Sequence, residues 1–188
     1  MAEAALAEGG GEAPARGHRA LGLWIATAAL AADQLAKWVV LNPLHLVERT
    51  ISGEGIVLLP IFRFLYTENP GLSMHFLPAA SPAKRWVLVA LTAAIAAFVF
   101  AWMWREKSRH DVAALALILG GALGNIADRA RLGFVVDFAD LHFGGFRPFL
   151  VFNVSDAAIT IGVLLLLVRA LLRPGAGKAG GSGEVVNG

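Results

Sequence analysis

Polar side chains concentrate in residues 120–156, a stretch that joins two strongly apolar segments. Membrane spans rarely carry so many polar groups at their ends unless those groups have a function. Two carboxylates held close together in a low-dielectric site cannot both ionise easily, so one of them keeps its proton. Such a pair offers a base that takes a proton from water and an acid that polarises a carbonyl, as amide hydrolysis requires. We predict that Asp137 and Asp156 form this pair, with further polar groups around them at Asn125, Asp128, Arg129, Asp140 and Asn153.

The composition indicates an integral membrane protein. Of the 188 residues, 57% are hydrophobic and only 16% are charged, whereas about 25% are charged in an ordinary soluble domain. The net charge of +2 and the scattered basic residues argue against nucleic-acid binding. The absence of cysteine excludes disulfides, thiol catalysis and thiolate metal sites. Because the histidines lack ligand spacing, we predict no metal site.

Four apolar segments have the length that a membrane span needs. We predict a membrane domain at residues 20–173, between two terminal tails, 1–19 and 174–188, whose compositions predict disorder. In the first long loop, residues 55–67 are β-branched and aromatic, which predicts short strands or a hairpin. The predicted spans are residues 20–42, 86–104, 112–130 and 156–172, and the outer loops are residues 43–85 and 131–155.

The first apolar segment has a competing interpretation. A basic region, a short apolar core and the tripeptide Ala29-Leu30-Ala31 together resemble a cleavable signal peptide. We favour a retained span because apolar residues resume at Trp38 and continue to Leu41. In a retained helix, Asp33 and Lys37 lie one turn apart on one face, as an ion pair or as part of a polar site.

The distribution of positive charge predicts the orientation of the spans. Four spans place both termini on one side, and the short loop between spans two and three holds Arg105, Lys107 and Arg109. Cytoplasmic loops carry an excess of Lys and Arg, so we predict that the termini and this loop are cytoplasmic. Polar groups from spans one, three and four then meet at one depth near the outer face, namely Asp33, Lys37, Asn125, Asp128, Arg129, Asn153 and Asp156.

Ordinary structural roles compete with the catalytic interpretation. Residues 153–156 have the spacing of a helix-capping motif, and capping is the better explanation of Asn153 on spacing alone. Asp137 can be a solvated loop carboxylate, like its neighbour Asp140. We interpret Asp128–Arg129 mainly as a structural charge pair at the interface. The Gly120–Gly124 pair permits close helix approach, for which we favour packing within the bundle over dimerisation.

Five blocks of sequence, in this order, resemble the lipoprotein signal peptidase family, the aspartyl signal peptidases II of bacteria. The resemblance covers about residues 20 to 172. It implies an all-α membrane fold of four transmembrane helices with a small β-rich extracytoplasmic cradle, and it implies no cofactor. The blocks are Asp33-Gln34-Leu35-Ala36-Lys37, Asn69-Pro70-Gly71, residues 120–129 (GGALGNIADR), residues 133–138 (GFVVDF) and Phe152-Asn153-Val154-Ser155-Asp156.

The resemblance also implies roles for individual residues. Asp137 and Asp156 match the catalytic aspartates of an endopeptidase that cleaves prolipoproteins just before the diacylglyceryl-modified cysteine. The implied setting is the bacterial inner membrane, in contact with lipids, with the site near the outer face, and we expect a monomer. Residues that match positions lining or supporting the site are Asp33, Lys37, Asn69, Gly71, Asn125, Asp128, Arg129 and Asn153.

Two other functions compete with this one. Gly71-Leu72-Ser73 with nearby His75 resembles the motif of a serine nucleophile, and that enzyme would fail with Ser73→Ala. A small transporter or ion-conducting protein would use the outer carboxylates as cation sites. The sequence disfavours the transporter because the polar groups lie at one depth and form no path across the membrane.

Overall fold

A computed structural model describes residues 14–53, 55–71, 82–144, 146–148 and 150–172 of the chain. Within these ranges four helices are long and apolar enough to cross a membrane, as predicted. The elements in chain order are α1 (Pro14–Leu41), α2 (Leu46–Ile51), β1 (Ile56–Leu59), β2 (Phe62–Asn69), α3 (Pro82–Arg105), α4 (Arg109–Leu132), β3 (Val135–Leu141) and α5 (Val154–Leu172).

The first helix is longer than the predicted span. It begins at Pro14, inside the segment 1–19 that was predicted to be a disordered tail, and its apolar part begins at His18. Proline is favourable in the first turn of a helix, where its missing N–H leaves no helical hydrogen bond unmade. Residues 1–13 of the predicted N-terminal tail and the whole predicted C-terminal tail, 174–188, lie outside the described part of the chain.

Helix α4 is the centre of the bundle and packs against α1, α3 and α5. Glycines permit close contact on two of its sides. A Cβ on Gly120 would lie 2.5 Å from the carbonyl oxygen of Ala26 in α1, and a Cβ on Gly162 of α5 would lie 2.6 Å from that of Ala114. The preference for packing Gly120 within the bundle is therefore confirmed.

The strands form one antiparallel sheet in the order β1-β2-β3. The hairpin of β1 and β2 confirms the strands predicted in the first outer loop. Strand β3, however, lies in the outer loop 131–155, where no strand was predicted. It follows α4 through Gly133, whose φ of 93° reverses the chain, and it pairs along β2 with Asp137 opposite Thr67. Asp137 of the predicted site therefore lies on a strand and not in an irregular loop.

An apolar cluster attaches the sheet to the end of α1. It contains Val40 of α1, Leu46 of α2, and Phe138 and Ala139 of β3, and Leu46 is completely buried. Helix α2 has only six residues and was not predicted. The burial of Leu46 against the sheet stabilises this helix, which is too short to be stable by itself.

The segment before α5 also pairs with β3. The backbone of Phe152 exchanges hydrogen bonds with Ala139, at 2.8 and 3.0 Å. This bridge places the start of α5 beside the middle of β3, although sixteen positions separate Asp137 from Asn153 in sequence. The two parts of the predicted site therefore come together at the end of the bundle.

Candidate active site

Asp137 is a buried residue of β3, with only 2% of its surface exposed. Its Oδ1 accepts a hydrogen bond of 2.6 Å from Asn153 Nδ2, and its Oδ2 accepts one of 3.0 Å from Asn69 Nδ2. The pKa of Asp137 is raised to about 6, because burial and the charge of Asp156 raise it by more than the two hydrogen bonds and the charge of Lys37 lower it. Asp137 can therefore exchange a proton near neutral pH.

Asp156 lies in the first turn of α5. Its Oδ1 accepts a hydrogen bond of 2.8 Å from Asn125 Nδ2 of α4. Its Oδ2 accepts from the backbone N–H of Asn153 at 3.3 Å, while its own N–H donates to Asn153 Oδ1 at 2.9 Å. This reciprocal pair is a capping box, so the capping interpretation of residues 153–156 is confirmed.

Asn153 therefore has two functions in the structure. The same residue that caps α5 uses its side-chain amide to bind Asp137, and this amide also lies 3.3 Å from Asn125 Oδ1. Asn153 is 1% exposed. Capping and site formation are consequently compatible, and the two candidate aspartates share one buried asparagine.

Lys37 lies between two carboxylates from different helices. Its ammonium is 2.7 Å from Asp33 Oδ2 and 2.7 Å from Asp128 Oδ2, and all three side chains are almost completely buried. The salt bridge of Asp128 is therefore to Lys37, whereas Arg129, its predicted partner, interacts with Asp128 only through its charge, and less than with Asp156 or Asp137. Neighbouring residues on one helical turn point in different directions, and the true partner is ninety-one positions away in sequence.

Gln34 is a supporting residue that sequence reasoning missed. Its Nε2 donates to Asp128 Oδ1 at 3.0 Å, and its Oε1 accepts from Arg131 Nη1, also at 3.0 Å. It thus ties α1 to the end of α4. Its position directly after Asp33, inside a block that resembles the family, was the available signal.

Arg129 and Gly71 lie beside the aspartate pair. The guanidinium interacts electrostatically with Asp156 and Asp137. A Cβ on Gly71 would come within 3.6 Å of that guanidinium, and Gly71 has a φ of 84° and donates its N–H to Asn69 Oδ1. The side chain of Asn69 thereby closes a tight local turn with the backbone two residues on. Ser73 and His75, the residues of the serine-nucleophile alternative, lie outside the described part of the chain.

Asp140 is not the solvated loop carboxylate that was expected. It is 1% exposed, and its Oδ2 accepts a hydrogen bond of 2.8 Å from Arg63 Nε on β2, with Arg147 at 3.5 Å. Asp137 is buried as well, so the solvated interpretation is wrong for both. Successive residues of a strand point to opposite faces, which directs Asp140 away from the Asp137 side.

A groove of about 270 Å³ opens beside Asp156. It follows the first turns of α5, and apart from Asp156 and one hydroxyl its lining is apolar. An apolar chain can lie in this groove with a polar bond placed next to the Asp156 carboxyl group. The lining residues are Phe152, Asp156, Ala157, Thr160 and Ile161.

Comparison with known proteins gives consistent matches along most of the chain. Residues 25–172 match the family model described as signal peptidase (SPase) II. The lipoprotein signal peptidase of Rhizorhabdus wittichii is 56% identical over 155 residues, which cover 82% of this chain and 88% of that protein. The lipoprotein signal peptidase of Sphingopyxis alaskensis is 54% identical over 151 residues, which cover 80% and 85%. A solved structure of a bacterial membrane enzyme at 1.9 Å resolution is 26% identical, with a TM-score of 0.68, over 83% of this chain and 95% of that one.

Proposed function

The chain belongs to the signal peptidase II family, and we propose that Asp137 and Asp156 are its catalytic aspartates. The protein is accordingly a membrane protease that processes lipoproteins. As substrate we propose a prolipoprotein that carries a diacylglyceryl group on its cysteine, with cleavage at the peptide bond just before that cysteine. Family membership favours this activity over the transporter and the serine nucleophile.

The observation that carries the catalytic assignment is the shared hydrogen-bond frame of the two carboxyl groups. Asn153 binds Asp137 through its side chain and Asp156 through its backbone, so one residue fixes both carboxyl groups. Burial and the neighbouring carboxylate raise the pKa of Asp137 to about 6. A carboxyl group whose pKa is raised toward neutrality, held beside a second carboxyl group, can supply an acid and a base together.

The pair would hydrolyse the peptide bond in two steps. The ionised carboxylate takes a proton from water, whose oxygen attacks the carbonyl carbon while the protonated carboxyl group donates its proton to the carbonyl oxygen. In the second step a hydroxyl group of the tetrahedral intermediate returns its proton to the carboxylate that had donated one, the C=O bond reforms and the C–N bond breaks. The other carboxyl group gives the proton that it took from water to the nitrogen of the cysteine, so the pair again holds one proton. The groove beside Asp156 would receive the apolar part of the substrate.

We also propose that the site faces the outer side of the inner membrane and that both termini are cytoplasmic. Arg105 is the last residue of α3, Arg109 is the first of α4, and Lys107 lies in the short connection between them, as expected at a cytoplasmic surface. The site lies at the other end of α4, which spans the bilayer. We propose a monomer, because described residues of a single chain supply both aspartates and the side chains that bind them.

The native chain has no cysteine, so single introduced cysteines test this orientation directly. Residues Glu48 and Lys107 are both exposed. In intact spheroplasts, a membrane-impermeant maleimide should label Glu48→Cys and should label Lys107→Cys only after permeabilisation. Labelling of Lys107→Cys in intact cells would reverse the proposed orientation.

The catalytic assignment is tested with purified protein and a diacylated precursor, by following release of the signal peptide. Asp137→Asn and Asp156→Asn should each lower the rate by at least about 10³-fold, because each removes one member of the acid–base pair. Asp140→Asn is the matched control, since it changes another buried aspartate of the same strand. Near-normal cleavage by a folded Asp137→Asn or Asp156→Asn protein would refute the assignment.

A further inference from the structure

Asp33 holds the backbone immediately before one of the proposed catalytic aspartates. Its Oδ1 accepts a hydrogen bond of 2.8 Å from the N–H of Ser155, the residue that precedes Asp156. Asp33 is completely buried in α1, and 122 sequence positions separate donor and acceptor. A side chain of the first helix therefore fixes the backbone at the start of the last helix.

Asp128 does the same for the other aspartate. Its Oδ2 accepts a hydrogen bond of 3.1 Å from the N–H of Val136, the residue that precedes Asp137. Both Asp128 and Val136 are buried. The same arrangement thus occurs twice: a buried carboxylate binds the N–H of the residue just before a catalytic aspartate, once on β3 and once on α5.

One ammonium group joins these two carboxylates. Lys37 Nζ lies 2.7 Å from Asp33 Oδ2 and 2.7 Å from Asp128 Oδ2, and the lysine side chain is 4% exposed. We propose that Lys37 is a positioning residue that sets the separation and orientation of the catalytic pair through Asp33 and Asp128. This inference rests on the proposed roles of Asp137 and Asp156.

The surroundings of this ion triad fit a positioning role. Gly124 gives Asp33 room at the contact with α5, because a Cβ there would lie 2.7 Å from Asp33 Oδ2. Gln34 adds hydrogen bonds to Asp33 Oδ2 at 3.2 Å and to Asp128 Oδ1 at 3.0 Å. The carboxylates are thereby fixed by several contacts at once, as precise placement of reacting groups requires.

The test is the kinetics of Lys37→Met, which keeps the length of the side chain and removes its charge. We expect kcat to fall by about 10²-fold, as for a displacement of roughly 1 Å at reacting groups, with KM within about threefold. The charged groups that face Asp137 are Asp156 of α5, Lys37 of α1 and Arg129 of α4. Because the charge of Lys37 lowers the pKa of Asp137, the limb of the pH–rate profile that reports Asp137 should move to higher pH.

Arg169→Met is the matched control for simple loss of an interhelical ion pair. Arg169 of α5 binds Asp111 of α4 at 2.5 Å, at the end of these helices away from the catalytic pair. The Arg169→Met substitution should lower the melting temperature and leave kcat and the pH profile near wild type. If Lys37→Met does not fold, the double variant Lys37→Met/Asp128→Asn removes one of the two carboxylates that lose their ammonium, which restores the net charge of the triad, and it should show the same kinetic defect.

Three results would overturn the inference. The inference is wrong if folded Lys37→Met has the wild-type kcat and pH profile, or if the folded double variant has the wild-type kcat. It is also wrong if Arg169→Met reproduces the loss of kcat and the pH change. Asp137→Asn, measured in the same assay, separates this from failure of the proposed function. If Asp137→Asn is inactive while Lys37→Met is normal, only the positioning role is lost; if Asp137→Asn is active, the catalytic assignment itself is wrong.

Discussion

The side-chain amide of Asn153 donates a hydrogen bond of 2.6 Å to Asp137 Oδ1. The oxygen of that amide accepts from the N–H of Asp156, and the backbone N–H of Asn153 binds the Asp156 carboxylate. One asparagine therefore uses its donor and its acceptor for different aspartates. The start of α5 and the middle of β3 cannot move apart without breaking one of these bonds.

Asn153→Ala should separate these effects when it is compared with Asn153→Ser. The alanine variant loses the helix cap, which should lower the free energy of unfolding by about 1 kcal/mol. It also loses the amide donor to Asp137, so kcat should fall by about 10²-fold. Serine restores a capping oxygen and still lacks the amide, so the melting temperature should recover while kcat stays low. Thermal unfolding and cleavage rates measure both. Full activity of the serine variant would show that the bond to Asp137 is dispensable.

The titration of Asp137 should make the thermal stability of the protein depend on pH. Burial raises its pKa from 3.8 to about 6. Because the folded state binds this proton more tightly than the unfolded state, the resulting stability is present below pH about 4 and lost as pH rises through about 6. The melting temperature of the wild type minus that of Asp137→Asn should therefore decrease between pH about 4 and 7 and then become constant. A flat curve for Asp137→Asn would contradict the raised pKa.

Hydropathy and local pattern were sufficient for the spans and the hairpin. Each spanning helix contains an apolar segment of the required length, and β1 and β2 are rich in β-branched and aromatic residues. The polar ends of α1, α4 and α5 also meet as predicted, because alternating span directions fix which ends share a side. These features depend on the local sequence and on the alternation of spans, so no contact needed to be known.

Features that depend on distant partners could not be predicted in this way. Asp140 has the appearance of a loop carboxylate because its partner Arg63 is seventy-seven positions away on another strand. Strand β3 was missed since its two acidic residues interrupt the apolar pattern, and both become buried only through such partners. The six residues of α2 are too few for a propensity signal and are held by the burial of Leu46.

Gly124→Ala should impair both folding and activity. A Cβ at this position would collide with Ser155 Oγ and approach Asp33 Oδ2 to 2.7 Å. The displaced Asp33 would lose its bond to the Ser155 N–H, so we expect destabilisation of about 1–3 kcal/mol and a fall in kcat of at least about tenfold. Gly162→Ala is the matched control, because a Cβ there would lie 2.6 Å from the carbonyl oxygen of Ala114, in an interhelical contact away from the site; it should lower stability and leave kcat near wild type. Equal kcat values for the two variants would remove the argument that Gly124 makes room for the site.

Asp140→Asn should lower stability more than activity. The substitution removes the charge that Arg63 binds at 2.8 Å across the paired strands β2 and β3. Arg63 remains 24% exposed and can be partly solvated, so the loss should be about 2 kcal/mol, below the 3–5 kcal/mol of a fully buried pair. For a protein of this size that corresponds to a melting temperature lower by roughly 4–8 °C.

Cleavage well below the melting temperature should stay within about threefold of wild type, because Asp137 keeps both asparagine donors. Glu68→Gln, an exposed carboxylate of β2, should change neither quantity. Inactivity of folded Asp140→Asn at low temperature would instead place Asp140 in the catalytic machinery.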